Sequence, residues 1–212
     1  MAPAPHGGRP VLQGGAPAAS AGGALILLHG RGATAESMFE LAAAVSPPEL
    51  AWFAPSAARK TWYPQSFLEP MERNEPALSS ALAAVYGLIE TLGVAGFPPE
   101  RIALLGFSQG ACLTLECAAR HARRFGALIG LSGGLIGPPG TPRSYPGSFS
   151  GTPVFLGCSD IDFHIPVERV HETAATFTQM GAAVTERIYP GMGHTVNDDE
   201  VRTVRGMLDL TP

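Results

Sequence analysis

The chain has 212 residues, 45 % hydrophobic and 15 % charged, with a net charge of −4. That is enough apolar material for a sizeable core within one α/β domain, and no basic run interleaved with aromatics points to nucleic acid. The unbroken apolar runs, Ala24 to Leu28 among them, fall far below the roughly 20 residues of a membrane-crossing helix, so no stable membrane insertion is expected.

Residues 1–23 are rich in Ala, Gly and Pro and lack the apolar centre of a secretory signal. They read as an irregular segment with one edge strand near Pro10 to Gln13 and with His6 in a loose start. A single domain is expected from residue 24 to residue 212. Three cysteines cannot all pair within one chain, and Cys112 and Cys117 read as small core residues of a helix. A reducing cytoplasm is the expected location.

Ala24 to Leu28 has the continuous apolar pattern of a strand buried on both faces of a parallel sheet. It leads into His29-Gly30-Arg31-Gly32, then a helix-like stretch from Thr34 to Val45 closed by Pro47-Pro48. Ala51 to Pro55 reads as the next strand. Ser56 to Pro76 reads as a loop containing Trp62, Tyr63 and Phe67. From Leu78 to Leu92 the apolar residues Leu78, Leu82, Val85, Ile89 and Leu92 fall on one helical face. Ile102 to Leu105 is a short strand, and Ala111 to Arg120 a helix. Ala127 to Leu131 is another buried strand. Ser132 to Ser150, dense in Gly and Pro, reads as an irregular and mobile rim. Pro153 to Gly157, Pro166 to Met180, Val184 to Tyr189 and Asn197 to Leu208 then alternate strand, helix, strand, helix. Such alternation implies a doubly wound, mostly parallel sheet with ligands at the carboxyl ends of its strands.

Between the strand at Ile102 and the following helix stands Gly106-Phe107-Ser108-Gln109-Gly110, a G-x-S-x-G in the strand–turn–helix context of a nucleophile elbow. A side chain at either glycine would collide where the strand folds back, and Gly also tolerates unusual backbone angles. The turn would lift the Ser108 hydroxyl beside the first amides of the helix, which favour negative charge. The plain alternative is a helix start with two turn glycines. A serine hydroxyl needs a base, and the base needs a group to fix its tautomer. Among six histidines, His194 lies in a Gly-rich loop after the last strand, where it can reach over the sheet edge. His164 is a weaker rival or a pocket residue, and His29 reads as structural. Asp160 and Asp162 both fit the orienting acid, and their spacing does not separate them. The chain order serine, aspartate, histidine is that of α/β-hydrolase triads. For the oxyanion, Gln109 follows the nucleophile and Arg31 follows an early strand, so their N–H groups are the candidate donors.

The segments Leu28 to Gly32, Gly106 to Gly110, Asp160 to Asp162 with Ile165-Pro166, and Gly191 to His194 resemble the phospholipase/carboxylesterase family, which includes acyl-protein thioesterases and small bacterial carboxylesterases. The resemblance covers nearly the whole chain from Ala24. It implies an α/β-hydrolase fold with a minimal cap, Ser108 as nucleophile, His194 as base and Asp162, just before the Ile-Pro that opens the next helix, as its partner. Asp160 is then structural. Two departures stand out: Phe163 where the family often has proline, and Cys158-Ser159 where it commonly has His-Gly. Arg31 replaces a more apolar residue, and its side chain either faces solvent or meets an anionic substrate group.

The expected activity is a serine carboxylesterase on small acyl or aryl esters, acting as monomer or homodimer, with no cofactor and no metal. Trp62, Tyr63, Phe67, Leu135, Ile136, Phe163 and Met192 are the candidate apolar pocket wall. The alternatives are a thioesterase or lysophospholipase on longer acyl chains, a dienelactone-type hydrolase, and a non-catalytic binding module, which would not need all three of Ser108, Asp162 and His194.

Overall fold

In the computed structural model, which describes residues 4–210, the apolar runs are strands of one seven-stranded sheet. They are β1 (Val11–Gly15), β2 (Gly23–Leu28), β3 (Leu50–Pro55), β4 (Ile102–Phe107), β5 (Ala127–Leu131), β6 (Pro153–Ser159) and β7 (Ala183–Tyr189), in the order β1-β3-β2-β4-β5-β6-β7. Only β1 runs antiparallel, against β3, with Val11 opposite Pro55. This is the α/β-hydrolase fold. The central strands β2, β4 and β5 are wholly shielded from solvent apart from Phe107, as expected for parallel strands covered on both faces.

The helices are α1 (Met38–Val45), α2 (Ala77–Val94), α3 (Gln109–Arg120), α4 (Val167–Gln179) and α5 (Asp198–Met207). They divide the core into two clusters. One holds α2, α3 and α4 residues such as Val85, Leu113 and Phe177; the other holds Met38 and Val45 of α1 with Val204 of α5. Helix α1 begins at Met38 rather than Thr34. Ser37 bonds back to the Thr34 carbonyl through both its N–H and its Oγ, so the chain turns there first. Helix α2 has 18 residues and is apolar enough by length and composition to cross a bilayer. No single run of the sequence showed this, because glycines and serines interrupt it. Its face of Leu78, Leu82, Val85, Ile89 and Leu92 is buried in the core.

Two expectations for the irregular segments fail. The stretch after β5 is anchored rather than a loose rim. Leu135, Ile136 and Phe149 are fully buried, and buried Arg169 donates to the carbonyls of Leu135 and Gly137 at 2.7 and 2.6 Å. Glu116, fully buried on α3, accepts the N–H of Ile136 at 3.1 Å. His6 is not loose either. Its N–H donates to Ser80 Oγ, its Nδ1 accepts the N–H of Ala58, and its Nε2 donates to the Trp62 carbonyl. Burial holds its pKa below the usual histidine range, so the neutral ring clamps the start of the chain to the loop after β3.

Candidate active site

The elbow forms where β4 meets α3. Ser108 has φ 55° and ψ −120°, a strained conformation for a residue with a side chain. The strain therefore sits on the serine and not on its glycines. The glycines are needed for close approach: a methyl group at Gly106 would run into the main chain of Gly110, and one at Gly110 into the carbonyl of Leu28. The Ser108 N–H is held by the Leu131 carbonyl of the neighbouring strand at 2.9 Å. Gln109 opens α3, where helix amides lack an intrahelical acceptor. Its side chain is a strut: Oε1 accepts the Trp62 N–H at 2.9 Å and Nε2 donates to the Tyr63 carbonyl at 2.8 Å.

His194 and Asp162 meet across two loops. His194 Nδ1 lies 2.6 Å from Asp162 Oδ2, which turns Nε2 the other way. Asp162 Oδ1 accepts the N–H groups of His164 and Ile165 at 2.9 and 3.1 Å. Burial pushes the Asp162 carboxyl up. The His194 bond and charge and the two amides outweigh that and hold it below the usual carboxylate range. The ambiguity between the two aspartates is resolved by geometry. Asp160 Oδ1 accepts the Gly191 N–H at 2.7 Å, and Ser159 Oγ accepts the Gly193 N–H at 3.1 Å. Both therefore staple the histidine loop to the end of β6.

A cavity of about 530 Å³ is lined by Ser108, His194, Gly30, Arg31 and Gln109, together with Tyr63, Phe67, His164 and Ser66. Ser108 and His194 thus face one space, with the Phe107 ring 5.0 Å from the His194 ring. Of the expected pocket wall, Tyr63 and Phe67 line the cavity. The other residues do not. Trp62 is fully buried in the core, donates its Nε1–H to the His29 carbonyl at 2.9 Å and packs on the His6 and His29 rings. Leu135 and Ile136 are sealed behind the anchored segment. Phe163 is 80 % exposed, its ring against His164. The Met192 sulfur accepts from Asn197 Nδ2.

The Arg31 side chain neither waits for an anion nor faces bulk water alone. It donates to the carbonyls of Pro64 and Gln65 at 2.7 and 2.5 Å, tying the first turn to the Trp62 loop. The lining the sequence did not reveal includes Gln65 and Ser66 as well as the apolar Phe107, Cys112 and Ile165, and nothing in a loop's composition tells which of its residues turn inward. Among the described residues no three His, Cys, Asp or Glu side chains gather as metal ligands.

The sequence profile of the Phospholipase/Carboxylesterase family matches residues 15–211. The chain belongs to that family. A solved phospholipase/carboxylesterase from Dyadobacter fermentans is 42 % identical, with a TM-score of 0.91 over 94 % of this chain and 96 % of that one. Acyl-protein thioesterase 1 of Gibberella zeae is 30 % identical over 66 % of this chain, and the match spans only 62 % of that relative's length. A probable carboxylesterase of Oryza sativa is 26 % identical over 90 % of this chain and 89 % of its own.

Proposed function

We propose that this member of an ester-hydrolase family is a serine carboxylesterase that cleaves small acyl or aryl esters through an acyl-enzyme. The observation that carries this reading is the pairing of His194 with Asp162 on the rim of the cavity that Ser108 enters. Asp162 fixes the tautomer with the proton on Nδ1 and leaves Nε2 to act as base. The Ser108 hydroxyl gives its proton to Nε2 as its oxygen attacks the ester carbonyl. The N–H groups of Arg31 and Gln109 hold the oxyanion, each such donor being worth about 2.7–4 kcal/mol in a transition state. The imidazolium then protonates the leaving alcohol, and water releases the acid by the same steps.

Gln65, Ser66 and His164 place polar groups among the apolar lining of Phe67, Phe107 and Ile165, a mixed wall that suits small acyl groups. The thioesterase named among the relatives keeps a second reading alive, cleavage of longer acyl thioesters. Graded ester and thioester series separate the two. The three free, buried cysteines suit a reducing cytoplasm, and a monomer or homodimer is what light scattering should find; a larger assembly would contradict it.

The deciding variant is Ser108→Ala assayed on p-nitrophenyl acetate. Turnover should fall by about 10⁴-fold or more with an unchanged circular dichroism spectrum. Full activity in that variant would end the serine mechanism.

A further inference from the structure

A second concavity, about 460 Å³, lies between α1 and α5. It shares Gly30, Ala33 and Phe107 with the catalytic cavity, so the two adjoin along those residues. Its floor is apolar: Met38 and Leu41 of α1, Phe107 of the elbow, and Val196 and Val201 at the start of α5. Glu40 and Asp198 stand exposed on its rim. Beside Ala44, Arg205 ties α5 to α1, donating from Nε to the Ala44 carbonyl at 3.0 Å and from Nη2 to the same oxygen. Between Met38 and Ala44 the groove runs along about 9 Å of helix at the usual rise per residue.

We propose that this groove receives the alcohol arm of the ester, as an uncharged alkyl or aryl group of medium length, while the cavity beside Tyr63 and Phe67 takes the acyl arm. The inference rests on the serine-esterase reading, and chemistry chooses the arm. The general acid protonates the leaving oxygen, so the alcohol departs on the imidazole side. The groove begins on that side: Phe107 packs against the His194 ring, and Val196 and Asn197 directly follow the histidine loop. The apolar floor selects a hydrocarbon.

The experiment uses the full chain and two ester series. In one the acyl group is acetyl and the alcohol grows from methyl to hexyl. In the other the alcohol is methyl and the acyl group grows. In the alcohol series kcat/KM should climb by up to about fourfold per methylene, the value of burying a CH₂ group. In Leu41→Trp, whose indole fills the groove, the hexyl-to-methyl ratio should fall toward one while the trend of the acyl series persists. A flat alcohol series in the wild type, or an unchanged hexyl-to-methyl ratio in a folded Leu41→Trp, overturns the proposal. Val201→Trp replaces the first variant if that one does not fold. Saturation-transfer NMR of n-hexanol with the Ser108→Ala protein reads the groove without turnover. Contact that disappears on adding Leu41→Trp supports the groove, and no contact refutes it, whatever becomes of the nucleophile.

Discussion

Two carboxyl groups lie close to strand β6 and reach opposite states. Asp162 follows the strand. Glu200, fully buried at the start of α5, rests against Gly157 within the strand. Both lose water. Asp162 gains His194 and two backbone N–H groups and stays ionised. Glu200 has one bond, from the Asn197 N–H to Oε2 at 2.8 Å, which completes a capping box with Asn197. Its Oε1 has no partner among the described residues. Burial pushes its pKa to about 7, and the lone amide does not reverse it. Burial alone therefore does not decide ionisation; the number and charge of the donors do.

The largest expected effect tests the ionised member. Asp162→Asn keeps the shape but cannot hold the imidazolium or fix its tautomer, so kcat should drop by about 10⁴-fold; steady-state kinetics with a short p-nitrophenyl ester measures it. A loss below tenfold would put the orienting acid elsewhere.

The next effect concerns the neutral member. A carboxyl whose folded pKa lies above its unfolded value binds an extra proton in the native state, so its contribution to stability falls as pH rises between the two values. For Glu200 that window runs from the ordinary glutamate value of about 4.5 to about 7. Glu200→Gln carries no charge to bury. Urea titrations should show the variant gaining on the wild type across that window, by on the order of 2–3 kcal/mol above pH 7, with kcat changed less than twofold or so. A constant stability difference from pH 4 to pH 8 would mean that Glu200 is ionised when folded.

A smaller loss follows from cutting the staple beside Asp162. Asp160→Ala frees the Gly191 amide and loosens the histidine loop, costing about tenfold in kcat with KM little changed. If it matches Asp162→Asn, the division of labour between the two aspartates is wrong. The smallest effect is at Cys158, whose thiol lies 3.8 Å from Asp162 Oδ2. Burial raises that thiol to about 12, so it stays protonated and is at best a weak donor. Cys158→Ala should change kcat by less than about twofold, and a larger change would make the thiol a real partner of the acid.

These pairs also mark what the sequence could reveal. Ser108 and His194 stand out in the sequence because each sits in a Gly-rich turn after a recognisable strand, and strand ends converge in this topology, here onto one cavity. Asp160 and Asp162 were not separable by spacing, since only the direction of each carboxyl, toward Gly191 or toward His194, assigns them. Glu200 carried no mark in the sequence, because only its packing on a glycine of β6 removes it from water. Trp62, His6 and Leu135 were misplaced for the same reason: irregular segments have no period from which to tell inward from outward. The α1–α5 groove had no local signal at all, since its walls are some 160 residues apart in the chain.

The bonds from Gly191 to Asp160 and from Gly193 to Ser159 weld acid and base into one piece. Insertions in either turn would displace both halves of the proton-handling pair together. The Trp62 loop is bound instead to the other half of the site, through Gln109 and Arg31, so a change in it reaches the residues beside Ser108 before it reaches that pair.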